Sequence, residues 1–173
     1  MGGARVIADS SVLIVFARAE RLDILYRTVG KVGITREVRE EAIDAAPHRP
    51  DAQALARLLE RGRLRVVPVR PERVATLRRS YPNLGGGEAS TIAACLQHRE
   101  KTVLLDERVA RRAAALEGLE PVGTLGVLAR ARRVGVIKSN QELGGALRGV
   151  LSAGLWVAPE VVEAFWDAVG ARP

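Results

Sequence analysis

Cysteine, histidine, lysine and aromatic residues are all scarce in this chain. Cys95 is the only cysteine among 173 residues, which excludes a disulfide framework and a cysteine-rich zinc site and suits a reducing compartment. Two histidines, His48 and His98, share no ligand spacing and are assigned to the surface or to helix ends. No apolar run exceeds the six residues Val12 to Ala17, far short of the roughly 20 that a membrane-spanning helix requires. That run begins just after Asp9-Ser10-Ser11, so no signal peptide is expected. Only three of the 27 cationic residues are lysines; the rest are arginines, whose planar fork grips phosphate in a bidentate way. A GC-rich coding bias would produce the same preference.

What is present is a globular composition, 47% hydrophobic and 27% charged, in a length that suits a single domain over 1–173. The net charge of +7 is unevenly spread. Residues 1–56 are neutral, 57–79 carry eight arginines against two acids, 107–149 carry eight cations against four acids, and 150–173 is net negative. Two basic segments are what a phosphate-tracking surface would show, although solvated helix faces would look alike.

Hydrophobic patterning predicts strands at Arg5–Ala8, Lys31–Thr35, Leu64–Val69, Lys101–Leu105 and Pro121–Val122, with Pro68 confining the third to an edge. Helices are predicted after Asp9-Ser10-Ser11, from Leu22 to Val29 before Gly30, and from Arg36 to Ala45 capped by Thr35. Others follow at Asp51–Arg61, Glu72–Arg79, Ala89–His98 opened by Glu88, Arg108–Leu116, and from a Thr124 cap to Arg133. A helical extension over 138–170 holds Asn140–Leu151 and Pro159–Val169; its Trp156, Phe165 and Trp166 are expected to pack a helix or a dimer contact. Strands alternating with helices predict an α/β protein, a three-layer α/β/α sandwich around a mostly parallel sheet.

Four acids hold special positions in that pattern. Asp9 and Asp106 each end an apolar strand, Glu88 stands where a glycine-rich loop enters a helix, and Glu41 lies three residues past Val38 on the inward side. The C-terminal ends of parallel strands open on one edge, so Asp9, Glu88 and Asp106 should meet there. Crowded carboxylates favour a cation, and oxygen ligands without nearby His or Cys select Mg²⁺ or Mn²⁺. Such an ion assists phosphodiester cleavage. Each acid also has a plainer reading: Asp9 as an N-cap, Glu88 as a partner of the helix dipole, Asp106 as the start of a helix. Glu41 shares its helix with Glu37 and Glu40, which a solvated face would also show.

Gly85-Gly86-Gly87 lacks the residues of a P-loop or a dinucleotide site and is assigned to a tight turn before Glu88. Cys95, near Ile92 and Leu96, is assigned to the core. Arg108, Arg111 and Arg112 follow Asp106 on one helix, and Arg111 is the candidate for a phosphate or a site carboxylate.

The stretches Val6 to Ile14, Ile34 to Glu41, Gly87-Glu88-Ala89, Leu104 to Arg111 and Gly123 to Leu128, in that order, resemble the PIN-domain ribonucleases, within them the VapC-like toxins and their relatives. The resemblance spans about residues 4–135. It implies the three-layer fold, a Mg²⁺- or Mn²⁺-dependent endoribonuclease and, as is frequent in the family, a homodimer inhibited by a small antitoxin; the lone cysteine points to the cytoplasm. Asp9, Glu41, Glu88 and Asp106 match its acidic quartet, and Ser11 the hydroxyl residue that steadies the first acid loop. Where that family often has a second Asp, this chain has Glu107, which either reaches a second metal or points to solvent. An offset of one residue would exchange Glu41 for Glu40.

Overall fold

A computed structural model describes residues 6–170 of the chain. Five short strands, β1 (Val6–Ala8), β2 (Val32–Ile34), β3 (Leu64–Val66), β4 (Thr102–Leu104) and β5 (Glu120–Val122), form one sheet in the order β3-β2-β1-β4-β5. Every pairing is parallel, with Ile7 opposite Gly33 on one side and Val103 on the other. The expected Arg5 start of the first strand lies outside the described residues. Prolines stand beside both sheet edges, Pro68 just after β3 and Pro121 within β5, and each removes an N–H that a foreign strand could use.

Helices fill the connections: α1 (Ser10–Arg18), α2 (Leu22–Val29), α3 (Arg36–Arg39), α4 (Pro50–Glu60), α5 (Pro71–Ser80), α6 (Gly86–His98), α7 (Arg108–Leu116), α8 (Thr124–Arg133), α9 (Asn140–Ser152) and α10 (Pro159–Val169). From β1 the chain steps outward through β2 to β3, then returns to the far side of β1 for β4 and β5. Crossovers between parallel strands are right-handed, so that reversal sends α5, α6 and α7 to the opposite face. The core divides accordingly. Val6, Ala8, Ile34 and Leu104 pack with α1, α2, α4 and α8 to α10, whereas Ile7, Val103 and Leu105 pack with α5, α6 and α7. This is the three-layer α/β sandwich that the alternation predicts, with an all-parallel sheet.

Local chemistry explains most boundaries. Gly30 ends α2 at a φ of 82°, a left-handed conformation that side chains disfavour. Thr35 caps α3 by accepting the Val38 N–H. Asp51, 6% exposed, ties α4 to α1 through an ion pair with Arg18 and pairs also with Arg49 at the start of its own helix; the guanidinium of Arg49 above all holds its carboxyl near 2. Cys95 is fully buried, as expected, and burial pushes its thiol up to about 12. His48 and His98 are exposed.

Three expectations need correcting. The helix predicted over Arg36–Ala45 is α for one turn only and continues as a π turn over Glu40–Asp44. The loop before Glu88 ends sooner, because α6 starts at Gly86 and makes Glu88 its third residue rather than its opener. Thr124 is the first residue of α8 and not its cap, which is Gly123. Of the three C-terminal aromatics, Phe165 is buried and packs edge-on to Trp166 at 5.4 Å, as a helix contact requires, while Trp156 is 87% exposed, which leaves it for the other expected role, a dimer contact.

Candidate active site

Because β1 and β4 are neighbours whose connections leave in opposite directions, their C-terminal ends flank the point where an open α/β sheet forms its ligand crevice. Asp9 and Asp106 follow these two strands. The Asp9 N–H donates to Leu104 O at 3.0 Å, which extends the sheet by one rung and fixes the acid against the end of β4.

Asp9 is 4% exposed and serves as the N-cap of α1. Its Oδ2 accepts from the Ser11 hydroxyl at 3.0 Å and more weakly from the Ser11 N–H at 3.4 Å, the steadying contact foreseen for Ser11. Its Oδ1 is buried and has no hydrogen-bond partner. Burial, helped by the nearby Glu41 carboxylate, lifts the Asp9 carboxyl to about 6 against the lowering effect of the Ser10 and Ser11 hydrogen bonds.

The π turn brings in Glu41. A Cβ added at Gly87 would fall 2.9 Å from Glu41 Oε2 and 3.0 Å from Asp9 Oδ1, so both oxygens border the same small volume. Glu41 is nonetheless exposed, not inward-facing as its spacing from Val38 predicts, because only its carboxylate end reaches Gly87; Glu40, also exposed, pairs instead with Arg36 at 2.7 Å. Gly87 is therefore glycine for want of space, not for a turn, since its φ is not positive. Gly87→Ala is expected to fold normally, because the flexible Glu41 arm can give way. It should weaken Mn²⁺ binding at least about tenfold, the methyl occupying the space between the two ligands. Calorimetric titration checks this; an unchanged affinity would remove Gly87 from the site.

The other two acids are engaged locally. Glu88 Oε2 accepts the Gly85 N–H at 2.9 Å, the half of a capping box that a glycine cap allows. Asp106 takes both donors of Thr124: N–H to Oδ1 and hydroxyl to Oδ2, each at 2.7 Å. A carboxylate oxygen has two lone pairs, so each acid keeps acceptor capacity after these bonds. As the side chains stand, no group of three or more Asp, Glu, His or Cys gathers closely enough for a metal cage among the described residues.

Glu107 sits exposed at the N-cap of α7 and bonds none of the four acids. Arg108 and Arg112 are exposed on the same helix. Arg111 comes closer: a Cβ at Gly123 would lie 2.5 Å from Arg111 Nη1 and 2.9 Å from Asp106 Oδ1, which puts the guanidinium beside that acid. Sequence reasoning missed Thr124 as a partner of Asp106 and Gly87 and Gly123 as close-approach positions. A hydroxyl residue at a helix start looks the same whether it caps its own helix or holds an acid from elsewhere.

The donor set suits a hard divalent cation. All the candidate ligands are carboxylate oxygens, and the orphaned Asp9 Oδ1 beside Glu41 is the kind of buried acceptor that a cation satisfies. Three concavities, between α5 and α6, between α8 and α10, and among α1, α2 and α4, are lined by none of the four acids. Among the described residues, no helix is long and apolar enough to cross a membrane.

No curated protein matches the chain. A family model for the PIN domain matches residues 5–171, from β1 through α9 and α10. PIN domains are in general nucleases, and with nearly the whole chain under that match, this protein belongs to the PIN-domain family.

Proposed function

We propose that the chain is a Mg²⁺- or Mn²⁺-dependent endoribonuclease that hydrolyses RNA phosphodiester bonds. The observation that carries the reading is the unpartnered Oδ1 of Asp9, buried at the end of β1 and facing Glu41 across Gly87. Asp9 and Glu41 would be the first ligands of the cation. Asp106 and Glu88 would join by their remaining lone pairs or through water, Asp106 already held in place by Thr124. When bound, a cation of this class makes water a better nucleophile toward phosphorus and stabilises the leaving oxygen. Arg111, beside Asp106, would hold a phosphate oxygen next to the reacting one. The eight arginines of 57–79, none of them in an ion pair among the described residues, leave their charge for the polyanion.

The resemblance carries the reading further, to the toxin of a toxin–antitoxin pair that works in the cytoplasm and is neutralised by a small antitoxin protein. Inhibited growth on expression, relieved by the product of an adjacent small reading frame, is the result that part requires.

The enzymatic reading is tested by incubating purified protein and single-stranded RNA with about 5 mM Mn²⁺, against a chelator control. Metal-dependent internal cleavage is expected. One observation favours a second reading, a PIN-like scaffold that binds RNA or protein without cutting: Glu88 and Asp106 are both occupied in bonds that serve the fold. No Mn²⁺ binding at millimolar concentration, together with intact RNA, would select that scaffold.

A further inference from the structure

Two helices present solvent-facing stripes of the same geometry and opposite charge. On α7 the exposed positions are Arg108, Val109, Arg111, Arg112, Ala115 and Leu116; on α10, after the exposed Pro159 that opens the helix, they are Glu160, Val161, Glu163, Ala164, Asp167 and Ala168. Both sets follow the same i, i+1, i+3, i+4, i+7, i+8 spacing, one face of a helix over two turns. Acidic residues are absent from the first stripe and basic residues from the second.

Apolar exposure concentrates at the same places. Six large hydrophobic residues are exposed among the described residues, and four belong here: Val109 at 50% and Leu116 at 69% on α7, Val161 at 47% on α10, and Trp156 at 87% three residues before α10. Val109 and Leu116 lie seven residues apart and so form one apolar column beside Arg112. An open tryptophan next to an acidic helix, and an open valine–leucine column next to arginines, are complementary in charge and alike in apolar character. Aromatic anchors dominate binding energy at interfaces, while charge complementarity sets register and partner.

We propose that the acidic face of α10, with Trp156, docks on the basic face of α7 in a second copy of this chain. The two helices lie on opposite faces of the sheet, so each stripe points outward from its own protomer. The contact would cover Arg108 and Arg112 and so compete with any polyanion for α7. It rests on the surface alone, whatever the acids at the strand ends do.

Sedimentation velocity at about 50 mM and about 500 mM salt tests the contact, since exposed charges are screened over this range. Wild type is expected to self-associate at low salt and dissociate at high salt. Arg108→Glu with Arg112→Glu, or Glu160→Arg with Glu163→Arg, should each be monomeric at low salt. Mixing those two variants should restore association, which also shows that both are folded. Trp156→Ala should weaken association at least about tenfold without changing its salt dependence. A monomeric wild type at low salt would overturn the proposal, as would charge variants that associate like wild type or a mixture that fails to recombine. Association that appears only when RNA is added would assign the α7 face to RNA and overturn it equally.

Discussion

Asp9→Asn will lower metal-dependent RNA cleavage by about 10²–10³-fold or more, the range for losing one group that organises charge stabilisation in a transition state. The same change will raise the stability of the metal-free protein at neutral pH. Asp9 is almost fully buried, its Oδ1 lacks a partner, and its carboxyl sits near 6 rather than 3.8. An acid raised on folding binds its proton more tightly in the native state. Its contribution is therefore intact below pH about 4 and is lost as pH climbs through 6, a shift worth about 3 kcal/mol when complete. Asparagine cannot ionise, so that part of the pH dependence should disappear in the variant. Its amide still offers an oxygen to Ser11 but adds a donor that needs a partner, so the net gain at pH 7.5 is about 1–3 kcal/mol. Thermal melts in chelator, at pH 5 and pH 7.5, check the sign. Manganese supplies the second arm: at a hundredfold excess over its dissociation constant it should stabilise wild type by about 2.7 kcal/mol and the variant hardly at all. A variant that melts below wild type at pH 7.5 in chelator would show that Asp9 is an ordinary N-cap.

How far this site is legible from sequence depends on which contacts are local. Apolar runs ended by an acid mark β1 with Asp9 and β4 with Asp106, because a buried strand and the turn after it are read from neighbouring residues. The Thr35 cap and the Gly30 stop are visible for the same reason. The strand order β3-β2-β1-β4-β5 is not, since it depends on pairing between segments up to 96 residues apart, such as Ala8 with Leu104. The π turn also leaves no trace in Glu40-Glu41-Ala42-Ile43-Asp44: five helix-compatible residues do not announce whether the backbone bonds back four positions or five. Yet that turn belongs to the segment that sends Glu41 toward Gly87 and leaves Glu40 with Arg36. The glycine run shows the limit from the other side. Its composition suggests a turn, whereas the actual constraint at Gly87 is two carboxylate oxygens where a side chain would begin.

Asp106 should behave in the opposite way to Asp9, and that contrast separates an acid kept for chemistry from one that also holds the fold. Its carboxylate accepts the first N–H of α8 and the hydroxyl of Thr124, a residue with no solvent exposure. It is in effect the helix cap of α8, delivered from 18 positions earlier in the chain. Asp106→Ala strips both acceptors and leaves two buried donors unpaired, each costing about 1–3 kcal/mol. Loss of the negative charge at a helix N-terminus adds a few tenths to about 1 kcal/mol. The expected destabilisation is therefore about 3 kcal/mol, or about 6–12 °C in melting temperature for a chain of this length. Asp106→Asn keeps one oxygen for the N–H and turns an amide donor toward the hydroxyl, which can rotate to accept it, so its cost is about 1 kcal/mol. Both variants lose cleavage, but only the alanine should loosen α8. Hydrogen exchange at the Thr124 and Leu125 amides should rise in Asp106→Ala and stay near wild type in Asp106→Asn. If Asp106→Ala melts with wild type, the carboxylate does not hold α8, and the idea that this acid enters the site already positioned fails with it.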